Sequence, residues 1–78
     1  MALVRFFAAA KAATKTSEIQ VSGNDVGEVL ANATQKFPEL SSVLTKCSIL
    51  LNEVSCSDLK AAVSDDDLVD VLPPFAGG

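Results

Sequence analysis

The last six residues are the part of this 78-residue sequence whose types and spacing best fit a chemical role. In order they are Pro73, Pro74, Phe75, Ala76, Gly77 and Gly78. The two prolines lack N–H groups, so strand pairing should stop at Leu72 and an extended arm should follow. The two glycines have no Cβ and can bring the backbone close to a reactive centre in another protein. The pattern predicts a C-terminal carboxylate that is delivered to a partner, although glycine-rich chain ends are also commonly just frayed.

The absence of histidine limits the chemistry that this chain can perform. No Ser-His-Asp triad, Cys-His pair, imidazole base or histidine metal ligand can be built from it. The sequence also has no G-x-x-x-x-G-K-[ST] loop, the motif that cradles the phosphates of ATP. We therefore expect that the chain is not an enzyme on its own and binds no cofactor or metal.

The charge of the chain is acidic and unevenly distributed. The net charge of −4 and the absence of Tyr and Trp argue against nucleic-acid binding. Residues 47–78 carry one basic and six acidic side chains, whereas residues 1–46 are nearly balanced. The acidic half indicates either a basic partner surface or a solvated face that keeps a small domain soluble.

The cysteines and the apolar segments indicate a cytoplasmic protein. Cys47 and Cys56 form no CxxC motif, and a disulfide is possible, but Cys47 lies in an apolar run typical of a buried thiol. Two free thiols in a reducing compartment are the favoured interpretation. The apolar run from Phe6 to Ala10 is too short for a signal peptide, and no stretch is long enough to span a membrane.

Alternating apolar residues predict a hairpin of two strands at the start of the chain. For the first strand, the predicted inward set is Val4, Phe6 and Ala8, and the outward set is Leu3, Arg5 and Phe7. Ile19 and Val21 are the inward residues of the second strand. Residues 9–16 are predicted to be a connection, since their helical propensity extends over a short segment without a cap.

One amphipathic helix is predicted after the hairpin. Asn24 or Asp25 is its expected N-cap, with Glu28 in the capping-box position behind Asp25, and Pro38 ends it by excluding Phe37 from helical geometry. The apolar stripe consists of Val26, Val29, Leu30, Ala33 and Phe37. Leu40, Val43 and Leu44 are expected to form a covering turn over the core.

The remaining residues predict short strands and turns. In order these are a buried strand at 48–52, a tight turn at Asn52-Glu53, a short strand at 54–56, a helical turn at 59–63, a polar turn at 65–67 and a last strand at 68–72. In the last strand Val69 and Val71 face inward and Asp70 outward. This order indicates an α+β fold with one helix across a small mixed sheet, comprising a body (1–72) and a tail (73–78).

The outward face of the sheet is more apolar than solvent contact requires, which is typical of a docking surface. Its predicted apolar members are Leu3, Phe7, Leu50, Leu68 and Leu72. Arg5 and Asp70 fall on the same face and could pair if the first and last strands are neighbours. Loops that cover these leucines are the alternative explanation.

The sequence resembles the MoaD/ThiS group of ubiquitin-like sulfur carriers over nearly its whole length. The similarity rests on the first strand at 3–8, the helix start Val26-Gly-Glu-Val-Leu30, the segment Phe37-Pro-Glu-Leu40 and the ending at 65–78. The pattern Pro73-Pro74-x-x-Gly77-Gly78 is most like the small subunit of molybdopterin synthase. The fold that this resemblance implies is the β-grasp.

Three positions depart from the family pattern. Asp66 and Glu53 stand where glycine is usual, and an Arg-Glu segment after the first strand is missing. The turn at Asp66 is therefore expected to be strained or differently shaped, and the turn type at Asn52-Glu53 is open.

The resemblance also implies a reaction at Gly78, with Gly77 beside it. An E1-like adenylating enzyme would use ATP and Mg²⁺ to join Gly78 to AMP, and sulfur from a persulfide donor would then give a thiocarboxylate. A larger molybdopterin synthase subunit would receive this sulfur. The predicted partner-binding residues are Leu3, Phe7, Leu50, Leu72, Pro73, Pro74, Phe75 and Ala76. The alternatives are sulfur transfer to thiazole, cysteine or tRNA, or a ubiquitin-like protein modifier or interaction module.

Overall fold

A mixed five-stranded sheet organises this computed structural model, which describes residues 1–73. The elements are β1 (Ala2–Phe6), α1 (Ala9–Thr14), β2 (Glu18–Val21), α2 (Val26–Lys36), α3 (Leu40–Leu44), β3 (Ser48–Leu51), β4 (Val54–Ser55) and β5 (Leu68–Leu72). The strand order is β2-β1-β5-β3-β4, with β1 and β5 parallel and the other pairs antiparallel. The predicted α+β fold with a mixed sheet is confirmed.

The core lies between the sheet and the helices, as the apolar pattern predicts. Its most buried members, at most 2% exposed, are Ala2, Val4, Phe6, Ala10, Val26, Val29, Ala33, Leu40, Val69 and Val71. The ring of Phe6 meets that of Phe37 edge to face, with centroids 6.2 Å apart. β3 is half-buried rather than buried as predicted; on one side its neighbour is the exposed, two-residue edge strand β4.

The ends of α2 follow the local sequence. The Asp25 carboxylate accepts a hydrogen bond of 2.7 Å from the backbone N–H of Glu28, and the Glu28 carboxylate accepts one of 2.8 Å from the N–H of Asn24. Phe37, before Pro38, leaves helical geometry at φ −128°. Both predicted helix boundaries are confirmed.

The prediction that 9–16 is a connection is wrong, because residues 9–14 form α1. Tertiary burial stabilises this short helix: Ala10 and Thr14 face the core at 0% and 5% exposure. The Thr14 hydroxyl donates to the Ala10 carbonyl at 3.0 Å. Ala8 turns the chain between β1 and α1 at φ 52°, so it lies exposed rather than inward as predicted.

The predicted helical turn at 59–63 is also wrong. The carbonyls of Leu59 and Ala61 accept hydrogen bonds of 2.8 and 3.0 Å from the N–H groups of Gly27 and Val26. The first N–H groups of a helix have no partner within it, and this segment supplies acceptors for them by forming a turn at residues 59–60, a bend at Ala61 and a bridge at Ala62 instead of a helix.

The two turns that lack the family's glycines differ in backbone conformation. Asn52 and Glu53 both have positive φ, 52° and 69°, which is the geometry of a type I′ hairpin and confirms the tight turn. The turn at 65–67 closes through a hydrogen bond of 3.0 Å from the N–H of Asp67 to the carbonyl of Ser64. Asp66 does not have positive φ, so this turn is differently shaped rather than strained.

Candidate docking face and tail root

The outer face of the sheet carries the apolar residues that the alternation predicts. Leu3 lies opposite Leu68 across β1 and β5, and Ser48 lies opposite Leu72 across β3 and β5. Leu3, Leu50, Leu68 and Leu72 are half-buried, while Phe7 is 37% exposed. No helix covers this face within residues 1–73, so these side chains remain accessible to another protein.

An ion pair lies at the centre of the same face. Asp70 occupies the middle of β5 with Arg5 opposite it on β1 and Leu50 opposite it on β3. The Arg5 guanidinium donates two hydrogen bonds to the Asp70 carboxylate, at 2.7 and 2.9 Å. These hydrogen bonds raise the pKa of Arg5 above its ordinary value. The pairing that the sequence suggested is confirmed, but Asp70 is 3% exposed and therefore buried, although it lies on the outward face as predicted.

Phe7 extends the pairing of β1 and β5 by one residue beyond β1. Its N–H donates to the carbonyl of Val71 at 3.0 Å, and its ring lies 5.7 Å from the Arg5 guanidinium carbon. This distance is within the range of a cation–π contact. The ring is thereby held at the end of the sheet where β5 leads into Pro73.

Pro73 lies at the root of the tail and borders a cleft of about 380 Å³. The other lining residues are Ala9, Ser42, Val43, Lys46 and Cys47. The sequence analysis missed this cleft because α1, which forms one of its walls, was predicted to be a connection. The signal that could have predicted α1 is the alanine-rich run at 8–13. The predictions for Pro74, Phe75, Ala76, Gly77 and Gly78 concern residues that lie outside those described.

Both cysteines are free and half-buried, in agreement with the expected thiols. Cys47 packs against the core, and its burial raises the pKa of its thiol. A thiol with a raised pKa is a poorer nucleophile at neutral pH. Across residues 1–73 we find no group of three metal-ligating side chains and no helix with the length and hydrophobicity to cross a bilayer.

The order of elements defines a class of protein: a β-grasp, with a helix packed across a mixed sheet whose central strands are parallel. The chain belongs to the ThiS family, whose model matches residues 4–78. The fold and family that the sequence suggested are both confirmed.

Solved structures are similar over almost the whole chain. Small archaeal modifier protein 1 from Methanosarcina acetivorans is 29% identical, with a TM-score of 0.88 over 99% of this chain and 95% of that one. A chain in the complex of subunits 1 and 2 of molybdopterin-converting factor from Helicobacter pylori is 31% identical. Its TM-score is 0.75, over 99% of this chain and 97% of that one.

A curated relative matches part of the chain. The molybdopterin synthase sulfur carrier subunit of Aedes aegypti is 40% identical in an alignment 52 residues long, which covers 64% of this chain. The matching region spans 53% of that relative, about half its length.

Proposed function

We propose that this chain is a sulfur carrier whose reactive group is the carboxylate of Gly78. The observation that carries the proposal is the family match, which begins in β1 and extends through Gly77 and Gly78. The fold supports it because β5, a central strand with neighbours on both sides, leads directly into Pro73. A rigid sheet whose central strand ends directly before Pro73 suits delivery of a terminal group into another protein's site.

The first step is activation by an E1-like enzyme that binds ATP and Mg²⁺. A Gly78 carboxylate oxygen attacks the α-phosphorus of ATP, and the bond to the β-phosphate breaks with release of pyrophosphate. The product is an acyl adenylate, in which AMP is a good leaving group. This chain has neither a histidine nor a phosphate-binding loop, so we assign ATP binding and proton transfer to the activating enzyme.

The second step places sulfur on Gly78. The terminal sulfur of a persulfide attacks the acyl carbon, and AMP leaves with the electron pair of the broken C–O bond. A second thiol then reduces the resulting acyl disulfide, so that the carrier leaves as a thiocarboxylate and the two thiols form a disulfide. Cys47 has a raised pKa and is not assigned a role in this transfer.

We assign the carrier to a molybdopterin synthase-like complex as its small subunit, with catalysis in the larger subunit and a pterin precursor as acceptor. The names of the Aedes aegypti relative and the Helicobacter pylori complex support this assignment. In this arrangement the outer face binds the larger subunit through Phe7 and Leu72, flanked by Leu3 and Leu50. The tail segment that enters the active site of the larger subunit consists of Pro73, Pro74, Phe75 and Ala76.

A second candidate is a ubiquitin-like modifier, in which Gly78 forms an amide with a lysine of another protein. The similarity to small archaeal modifier protein 1 favours it, since that structure has a TM-score of 0.88 at 29% identity. Both candidates share activation by adenylation and differ in the nucleophile that attacks the acyl carbon.

Intact mass spectrometry separates the candidates. The protein is incubated with an E1-like enzyme from the same organism, Mg-ATP and a persulfide donor, with omission of ATP as the control. The sulfur carrier predicts an ATP-dependent mass gain equal to one oxygen exchanged for sulfur. A modifier predicts conjugates with other proteins in an added cell extract. No change with any activating enzyme of the organism would contradict both.

A further inference from the structure

The fold sorts the charged side chains to two ends of the molecule. Because β1 and β5 are parallel, both end near the root of the tail, at Phe6 and Leu72. β3 runs antiparallel to β5 and therefore begins at this end, with Ser48 opposite Leu72. We call this the tail end, and the end where β1 and β5 begin the distal end.

Four of the five lysines lie at the tail end. Lys46 borders the cleft beside Pro73, and Lys15 borders a cleft of about 460 Å³ between α1 and Phe37. Lys11 lies on α1, and Lys36 is the last residue of α2, next to Phe37. All four are exposed, and none is in an ion pair within the described part of the chain. We call Lys11, Lys15, Lys36 and Lys46 the tail-end lysines.

Seven of the ten acidic residues lie at the distal end. They are Asp25, Glu28, Glu53, Asp58, Asp65, Asp66 and Asp67, accompanied by two basic groups, Lys60 and the Met1 amine, which pairs with Asp65 at 2.7 Å. The β3–β4 turn and the 65–67 turn meet there, since the Asn52 amide donates to the Asp67 carboxylate at 3.0 Å. At the tail end, by contrast, the four lysines face only Glu18 and Glu39 as acidic neighbours within the described residues.

This arrangement changes what the charge implies about partners. The acidic C-terminal half of the sequence indicated a basic partner surface, but most of its acidic side chains lie at the end opposite the tail root. A protein that receives the tail meets the lysines instead. Charges separated in this way affect how fast two proteins approach and how they are oriented when they meet, since complementary charged patches accelerate association.

We propose that the tail-end lysines steer the tail toward an acidic protein surface that surrounds the entrance of the site receiving it. The inference rests on the proposed function, because it assumes that the tail enters a partner. The distal acidic end would be repelled from the same surface. The wrong end would therefore be disfavoured before any apolar contact forms.

The test compares two variants with the same change in charge at opposite ends, Lys46→Glu and Lys60→Glu. Both side chains are exposed, and thermal unfolding checks that both variants fold. The readout is the rate of adenylation of Gly78 by the organism's E1-like enzyme, measured at subsaturating carrier. In ~0.02 M salt we expect Lys46→Glu to slow this rate roughly three- to tenfold, and in ~0.3 M salt the difference should largely vanish. Lys60→Glu should keep the wild-type rate or exceed it.

Equal rates for the two variants, with normal adenylation of the wild type, would overturn the steering proposal and leave the carrier function standing. If the wild type is not adenylated at all, the proposed function fails, and a titration with hexaglutamate peptide decides the surface separately. Amide shift changes in α1 and around Lys46 would support an acid-binding surface. Changes spread evenly over the chain, or an absence of changes at low salt, would overturn it.

Discussion

Arg5 and Asp70 lie opposite each other on two parallel strands and are joined by two hydrogen bonds of 2.7 and 2.9 Å. The pair is asymmetric: the Asp70 side chain is 4% exposed, whereas that of Arg5 is 34% exposed and also contacts the Phe7 ring. The buried charge of Asp70 therefore depends on Arg5 for compensation, while Arg5 retains access to water. The pair connects β1 with β5, the strand that leads to the tail root.

This asymmetry predicts unequal costs of removing each partner. Arg5→Met should lower the thermal unfolding midpoint more than Asp70→Asn, because it leaves a buried carboxylate without its cation. The double variant Arg5→Met/Asp70→Leu should recover much of the loss, since it removes the stranded charge. Thermal unfolding of the three variants at neutral pH tests this order; equal losses for the two single variants would contradict it.

Ala8 predicts a stabilising substitution. Its φ of 52° and ψ of −123° suit glycine and strain an L-residue. Ala8→Gly should raise the free energy of unfolding by about 0.5–1 kcal/mol. The control is Ala12→Gly, the same change at an exposed position within α1, which should lower it by up to about 1 kcal/mol. Denaturant unfolding measures both, and destabilisation by Ala8→Gly would contradict the strain.

Asp67 predicts a specific acid sensitivity. Hydrogen bonds from the Ser64 N–H and the Asn52 amide hold the pKa of Asp67 below its ordinary value of 3.8. A carboxyl whose pKa is lower in the folded state stabilises the fold above its unfolded pKa. That contribution is lost as the pH falls from the ordinary value of 3.8 through the lower folded value. Asp67→Asn should therefore be less stable than the wild type near neutral pH.

The pH dependence of the Asp67→Asn variant decides whether ionisation of Asp67 stabilises the fold. The unfolding midpoints of Asp67→Asn and the wild type should converge as the medium is acidified below that range. A difference that stays constant from neutral to strongly acidic pH would mean that ionisation of Asp67 does not contribute. Asp66→Asn, in the same turn, serves as the control, since no side-chain hydrogen bond to Asp66 is found within residues 1–73.

Substitutions on the outer face of the sheet should weaken partner binding more than they lower the stability of the fold. If the proposed larger subunit binds this face, Phe7→Asp should weaken that binding roughly tenfold or more, because an aromatic contact is lost. Since Phe7 is 37% exposed, the loss of stability should be modest. Leu72→Asp should weaken binding similarly. Val54→Asp makes the same kind of change at a 67% exposed position on the edge strand β4 and should leave binding unchanged. Unfolding of Phe7→Asp, or equal effects of all three, would contradict the assigned face.

The sequence predicted those parts of the fold that local chemistry determines. Alternation in β1 and β5 places Val4 and Val69 inside, and it puts Arg5 and Asp70 on one face, so their pairing required only that the strands be neighbours. The start of α2 follows from the Asp25 cap. These features depend on side-chain periodicity and on residues close in sequence.

The errors arose where distant residues determine local structure. α1 is too short to be stable alone and forms because Ala10 and Thr14 are buried against the rest of the chain. Segment 59–63 is not helical because its carbonyls accept hydrogen bonds from the first N–H groups of α2. The end-to-end separation of charge was also hidden, since strand order rather than chain order determines which lysines surround Pro73.

The central claim is that sulfur is attached to Gly78, and tandem mass spectrometry of the loaded protein tests it most directly. Within residues 1–73 the core runs from Ala2 to Val71, and we expect deletion of Gly78 to leave the thermal transition intact while abolishing loading. In the wild type we expect the added sulfur mass only in fragments that contain Gly78. Sulfur mass on fragments that contain Cys47 or Cys56 but lack Gly78, or undiminished loading of the deletion variant, would contradict the account.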